Sequence, residues 1–406
     1  MKIIVFAYKL VVSGTTVNSI ELAAALRDLH GFDVVFFATP GPLVGLVEQK
    51  RLRYIPAPEA RFYPSPARMC ALRHAVRQEQ PDIVYAWDWP QAIDAFYGVH
   101  LPMRVPTVVT DMSMSVGRML PRSLPTTFGT PGLRDQAAAD GRWRVEVLLP
   151  PVDTDLNAPD AVDPSLFRER CGIKQGEVTL VTVSRLDEHM KADSISRTIA
   201  AIRVLGRELP VRIVIVGDGS ARLRLSRLAD EVNSELGRPA VLLPGAMVDP
   251  RPAYASADIV IGMGGSALRG MAFGKPVIIT GAQGFSSALT PETADGFLYH
   301  GIYGRGNGDP SNFGFVFRIR QLVEHPDQVS FLGDFSRQLV LRHFSLGTLS
   351  GGLADFCRSG VSRVPTIRAS ALDALKTAAA YFRERRFIPP SGPPAIKFIP
   401  DTATTP

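Results

Sequence analysis

The chain has 406 residues, of which 46% are hydrophobic and 21% charged, with 45 Lys and Arg against 39 Asp and Glu. That length exceeds one ordinary core and predicts two domains, and the composition excludes a disordered or fibrous chain. The net charge of +6 suits a phosphate-bearing ligand or an anionic surface; no Lys/Arg run resembles a nucleic-acid arm, and no apolar run approaches a membrane span of about 20 residues.

The chain opens Met1-Lys2-Ile3-Ile4-Val5-Phe6-Ala7, which reads as a buried strand rather than a signal peptide. A loop at 11–14 leads to a helix reaching residue 29, capped by Thr15 or Thr16 and ended by Gly31. A second strand over 32–38 completes a βαβ unit, so the sheet is expected to be parallel and doubly wound. Further on, a helix is predicted over 66–80, strands over 81–87, 105–110 and 125–130, a helix over 131–140, and a strand over 145–149. Pro150 to Pro159 is proline-rich, polar and turn-prone, and makes the best domain boundary in the chain.

Beyond this seam the alternation repeats. Strands are expected over 178–184, 211–216 and 241–243, with helices over 192–207 and, capped by Ser220, to residue 236. Asp258-Ile259-Val260-Ile261 is a strand and Gly262-Met263-Gly264-Gly265 a tight loop. Ser266 is read as the cap of a helix that Gly274-Lys275-Pro276 ends before the next strand, Val277-Ile278-Ile279-Thr280. A last short strand is expected over 296–300 and helices over 346–358 and 370–387, followed by a proline-rich tail over 388–406. The fold class is therefore α/β, with two Rossmann-like domains facing one another and C-terminal helices. Ligands of open α/β sheets sit beyond the carboxyl ends of the strands, where the glycine turns after Val216, Leu243 and Ile261 fall. The three cysteines, Cys70, Cys171 and Cys357, are widely spaced and form neither a metal motif nor a disulfide framework, which points to a reducing cytoplasm.

Four ordered motifs carry a resemblance. Pro151-Val152-Asp153-Thr154-Asp155 is similar to an interdomain turn, and Ser184-Arg185-Leu186 with Lys191 to a donor-phosphate pair. Ile213 to Gly219 matches an I-V-G-D-G turn, and Met271 to Val277 a helix end of the A-M-A-x-G-x-P-V type. In this order they resemble the family 4 glycosyltransferases, over roughly residues 2–356. The resemblance implies the glycosyltransferase-B architecture: an acceptor-side domain over 1–155, a nucleotide-sugar donor domain over 156–345, and C-terminal helices over 346–406 returning to the first domain. It implies transfer from a nucleotide-diphosphate sugar to a hydroxyl acceptor in glycan, glycolipid or natural-product biosynthesis, with retention at the anomeric carbon and no metal cofactor. The sequence departs from the family at its paired glutamates: the second position is Arg269, and the loop that would hold the first is shortened to Gly264-Gly265-Ser266. A non-catalytic nucleotide-sugar-binding or partner protein is the alternative that this departure favours.

Glycosyl transfer builds negative charge on the departing diphosphate, so fixed positive groups must face it. Arg185 and Lys191 supply a fork and a point charge, and Gly264, Gly265 and Ser266 supply N–H groups at a helix start. Ala246 and Met247 follow a strand and border the base; Arg269 meets the ribose or a phosphate, or points to solvent. Gly14 is expected to approach donor or acceptor from the first loop. Asp111 and Asp88 both follow strands of the first domain and are the candidate catalytic carboxylates, although a strand-end Asp also suits a cap or turn. The last helix has Leu372, Leu375, Ala379 and Phe382 on one side and Arg383, Arg385 and Arg386 at its end. It either packs back on the first domain or makes a peripheral contact with the inner membrane face. No nucleic-acid partner is expected.

Overall fold

The computed structural model describes residues 1–188, 191–308, 311–362 and 367–387; the tail over 388–406 lies outside the described residues. The described chain forms two compact units. One comprises Met1–Pro151 together with the residues from Phe344 onward, the other Val152–His343. The division at Pro151 falls within the proline-rich seam.

The first unit is built on a parallel sheet of seven strands. These are β1 (Lys2–Phe6), β2 (Asp33–Ala38), β3 (Arg53–Pro56), β4 (Ile83–Trp87), β5 (Thr107–Asp111), β6 (Thr126–Phe128) and β7 (Val145–Val147). Their order is β3-β2-β1-β4-β5-β6-β7, with every neighbouring pair parallel. Between them run α1 (Gly14–His30), α2 (Val44–Gln49), α3 (Pro66–Glu79), α4 (Asp88–Ala95), a π-helical turn (Phe96–His100), α5 (Leu101–Met103) and α6 (Pro131–Ala139). The cap of α1 is Ser13 rather than a threonine: its Oγ accepts from the Thr16 amide at 3.2 Å, and Gly31 closes the helix at φ 69°. Both faces of the sheet are covered. Ile3, Val5, Tyr85 and Trp87 belong to one apolar cluster and Ile4, Phe6, Val84 and Ala86 to the other, so the central strands read as continuous apolar runs.

The second unit repeats the plan with α7 (Ser165–Arg170), β8 (Val178–Val183), α8 (Ala192–Leu205), β9 (Val211–Val216), α9 (Arg222–Leu236), β10 (Val241–Gly245), α10 (Arg251–Ser256), β11 (Ile259–Gly262), α11 (Gly265–Ala272), β12 (Val277–Ala282), β13 (Ser286–Ala288), α12 (Pro291–His300), β14 (Gly304–Arg305), α13 (Phe313–Glu324) and α14 (Pro326–His343). The order is β10-β9-β8-β11-β12-β13, with β14 added beside β12; β13 runs antiparallel. Two helices then belong to the first unit, α15 (Leu346–Ser362) and α16 (Ile367–Phe387).

Three further local expectations are corrected. Residues 296–300 are the end of helix α12, not a strand: Pro291 occupies the first turn and Thr290 and Thr293 form a reciprocal capping box that outweighs the β-like aromatic run. Ser220 does not cap α9; its Oγ instead accepts from the Glu188 amide at 3.3 Å. Ser266 lies inside the first turn of α11, whose cap is Gly264 at φ 54°. No described helix is long and apolar enough to cross a membrane.

Candidate functional site

In the second sheet β8 and β11 are neighbours, but the chain leaves β8 toward β9 and leaves β11 toward β12. This reversal opens a crevice beyond the strands' carboxyl ends. A pocket lies there, with Thr182, Ser194, Thr198, Ile261 and Thr280 lining it and Ser184, Lys191, Met263 and Ser266 contributing as well. Three of its hydroxyls already donate to backbone carbonyls: Thr182 to Ile261, Ser194 to Lys191 and Thr198 to Ser194. Their oxygens remain able to accept.

Arg185 is held at this edge by glycine packing. The Ser184 amide donates to the Val216 carbonyl at 3.0 Å, the Leu186 amide to Asp218 at 2.9 Å, and the Ala221 amide to Leu186 at 2.8 Å. A Cβ on Gly217 would occupy the Ser184 carbonyl, and one on Gly219 would lie 2.5 Å from the Leu186 oxygen. The I-V-G-D-G turn therefore works by letting two loops touch, fixing the backbone on both sides of Arg185. Arg185 itself is exposed and makes no ion pair with any described residue. Lys191 is the cap residue of α8. Burial pushes its ammonium down from 10.5 to about 8, Arg185 pushes the same way, and Asp187 opposes them. Lys191 thus lines the crevice, with the Arg185 cation and the Asp187 carboxylate close enough to act on it, an arrangement that a polyanion would suit.

The start of α11 contributes a second set of positive groups. Gly264 does not serve as expected: its amide donates to the Ile302 carbonyl at 2.7 Å and is already used. The first-turn amides of Gly265 and Ser266 have no helical acceptor. Ser266 Oγ accepts from the Tyr254 hydroxyl at 3.1 Å. A Cβ on Gly262 would meet that Oγ at 3.0 Å, and one on Gly270 would meet Val260 Cγ1 at 2.7 Å, so these glycines seat the loop and helix on β11. Arg269 is half-buried and its Nη1 lies 3.4 Å from the Gly265 carbonyl, so the guanidinium reaches back toward the first turn. Ala246 and Met247 follow β10, separated from β8 by β9. Adjacent strands lie about 4.8 Å apart, so these residues stand roughly 10 Å along the same edge.

The first sheet has its reversal between β1 and β4. Gly14 begins α1 there, and a Cβ on it would meet nothing within 4 Å, so free space rather than a tight turn surrounds it. Asp88 follows β4 at φ 59°, half-buried, with Oδ1 accepting from the Met112 amide at 2.9 Å. Burial first and Asp111 second raise its carboxyl to about 7. Asp111 ends β5, one strand further from the reversal, and is fully buried. Its Oδ1 accepts from the Ser113 amide at 2.9 Å and from the Ser113 hydroxyl, which is the geometry of a turn residue. Burial raises its pKa as well. The indoles on either side of Asp88, Trp87 and Trp89, suggest stacking on a sugar face from sequence, but Trp87 is fully buried and the tyrosine beside Trp89 carries no sequence signal. Trp89 meets Tyr63 edge-on at 5.6 Å between ring centroids, and the Tyr63 hydroxyl accepts from Arg68 Nη1 at 3.4 Å. Residues 63 and 89 are far apart in sequence and carry no shared motif.

Residues 177–302 match the family described as Glycosyl transferases group 1, and residues 12–126 the one described as Glycosyltransferase Family 4. A comparison with curated proteins found no match. Among solved structures, the chain is similar to a glycosyltransferase from Rickettsia africae ESF-5 (TM-score 0.71, 14% identity, 89% of this chain and 99% of that one). It is also similar to HepE of Anabaena in complex with UDP (TM-score 0.69, 16% identity, 88% and 100%), which has been solved with UDP-glucose too. A third similar structure is sucrose-phosphate synthase from Thermosynechococcus elongatus (TM-score 0.67, 14% identity, 88% and 99%).

Proposed function

For a chain that belongs to the family 4 glycosyltransferases, we propose a nucleotide-diphosphate sugar as donor, held in the second unit, and a hydroxyl group as acceptor. The observation that carries this reading is the pocket at the β8–β11 reversal, which Lys191 of α8 and Ser266 in the first turn of α11 line together, with Arg185 on the loop between β8 and Lys191. A diphosphate placed between them accepts from Gly265 and Ser266 and faces both cations. The base then extends toward Ala246 and Met247. HepE has been solved with UDP and UDP-glucose, so uridine is the first base to test.

As the anomeric C–O bond lengthens, the electron pair stays on the departing phosphate oxygen. In this reading Arg185, Lys191 and the helix start face that charge, so little reorganisation is needed at the barrier. These groups supply positive charge without a metal ion. Asp88 is the acceptor-side carboxylate in this reading: it is half-buried, and burial raises its carboxyl to about 7, where a general base exchanges its proton easily. Asp111 acts through Asp88 and its own turn. Retention at the anomeric carbon is part of this proposal; Arg269, in place of a carboxylate, makes the donor's sugar or ribose contact one of donation only.

Thermal shift with UDP, GDP, dTDP and ADP, followed by the corresponding sugars, identifies the donor, because stability rises with ln(1 + [L]/Kd). Arg185→Ala and Lys191→Ala should each raise the barrier by roughly 2–4 kcal/mol while acceptor affinity changes little. Unchanged turnover in both folded variants would remove the donor assignment.

A further inference from the structure

We infer that helix α16 is a docking face for an anionic bilayer surface. The helix packs on its own unit through its polar side. Asp373 is 6% exposed, and its Oδ2 accepts from the Ser123 amide and the Ser123 hydroxyl, both at 2.7 Å. Ser370 and Thr377 are buried on the same side, and the Tyr97 hydroxyl donates to the Ala374 carbonyl at 2.7 Å. The apolar residues face outward. Leu372 is 55% exposed, Leu375 71% and Phe382 61%, and Ala379 is exposed between them. At positions i, i+3, i+7 and i+10 they form one stripe, about 15 Å long at 1.5 Å per residue.

The fold cannot hide this stripe by rolling the helix. That motion would strip Asp373 of both hydrogen bonds and bring apolar side chains to a polar seat. The stripe needs an outside occupant, and its borders say which kind. Arg368, Lys376 and Arg383 are exposed, and at about 100° per residue they fall on the same half of the helix as the stripe. The one carboxylate among the helix's described side chains is Asp373, on the buried side. An apolar stripe edged by cations suits the boundary between headgroups and acyl chains: Leu and Phe enter it while Lys and Arg extend to the phosphates. A second copy is a poorer occupant. Antiparallel pairing of two such stripes would set Arg368 against Arg383 and Lys376 against its own equivalent, cation on cation. The chain's net charge of +6 adds longer-range attraction to an anionic leaflet.

The test is sedimentation of the full chain with vesicles of phosphatidylcholine alone or with about 30% phosphatidylglycerol. Wild type should bind the anionic vesicles, and more weakly the neutral ones. Leu375→Gln with Phe382→Gln should lower partitioning about tenfold or more, at unchanged Tm and unchanged turnover of a soluble donor. Arg368→Gln, Lys376→Gln and Arg383→Gln together should weaken binding and remove its salt dependence. Absent wild-type binding, or equal binding by all variants, overturns the inference. So does binding that appears only when the chain is cut after Phe387, which would make the chain's own tail the occupant. A wild-type dimer that becomes monomeric in the Leu375–Phe382 variant would identify a second copy instead. None of these outcomes bears on glycosyl transfer.

Discussion

Lys191 carries a pH dependence of opposite sign in folding and in binding. Its ammonium is at about 8 in the folded protein against an ordinary 10.5. Between those values the unfolded chain holds more protons, so this group's contribution to stability rises with pH across that window. A bound diphosphate favours the charged amine, so affinity should be full below about 8 and fall as pH rises past it. Calorimetry with UDP in buffers of different ionisation heat should find proton uptake above this point. Lys191→Met should lose both the uptake and the pH dependence; a variant that keeps them would place the titrating group elsewhere. Asp88 offers the reverse case. Its carboxyl is raised from 3.8 to about 7, so the folded state holds the extra proton between these values and stability is lost as pH climbs through them. Asp88→Asn keeps an acceptor for the Met112 amide, tolerates the left-handed backbone and cannot ionise. Melting from pH 5 to 8 should show a flatter slope in the variant, whereas a gap independent of pH would rule out ionisation of Asp88 as the cause. At this scale the motif residues Arg185 and Lys191 were legible, because their chemistry is fixed by residue type and local spacing. The occupied amide of Gly264 and the turn geometry of Asp111 were not, since each depends on a partner whose position only the fold supplies: Ile302 for one, the exact path of the Ser113 turn for the other.

Elements with a single strong period were readable from sequence. The buried strands β1, β4, β8 and β9 are apolar-rich, interrupted only by Lys2, Thr179, Thr182 and Arg212, and α1 and α8 each have an apolar face. β3 was missed because it is a short edge strand, Arg53-Tyr54-Ile55-Pro56, with little apolar content. The helical stretch from Asp88 through Met103 was missed because Trp, Pro and Gly interrupt its pattern. The glycine turn after β9 shows what sequence reading captured without its reason. Its motif was visible, but the need for Gly217 is that Ser184 lies where a Cβ would go. Gly217→Ala must therefore push the Ser184–Leu186 segment away and carry Arg185 with it. The variant should lose donor affinity by more than Arg185→Ala does, and also lose stability, because the hydrogen bonds of Ser184 and Leu186 to the turn are strained together. Calorimetric affinity and Tm measured side by side check this. A variant with lower Tm but normal UDP affinity would show that Arg185 is positioned by something other than this contact.

The two units differ in how the chain supplies them, and this sets how each should fold. Residues Val152–His343 are contiguous, with their own sheet and their own core around Ile199, Ile213, Ile259 and Ile319. The first unit is discontinuous. Leu353, Ala354, Phe356 and Cys357 of α15 share one core cluster with Ile3, Val5, Tyr85 and Trp87. A Cβ on Gly360 would lie 2.5 Å from Val108 Cγ1, so α15 rests directly on the sheet. His30 Nε2 also lies 3.0 Å from Ser350 Oγ. A fragment of residues 152–343 should then fold cooperatively and bind UDP with the affinity of the full chain, because every proposed donor contact lies within it. A fragment of residues 1–151 should not fold, since losing α15 uncovers one face of its sheet. Phe356→Ala tests the same asymmetry in the intact protein. Truncating a fully packed Phe costs about 3–5 kcal/mol, and that loss should fall on the first unit alone. Denaturant unfolding should therefore separate into two steps in the variant, with added UDP shifting only the later one. If UDP shifts both steps together, the units unfold as one and the donor unit does not stand alone.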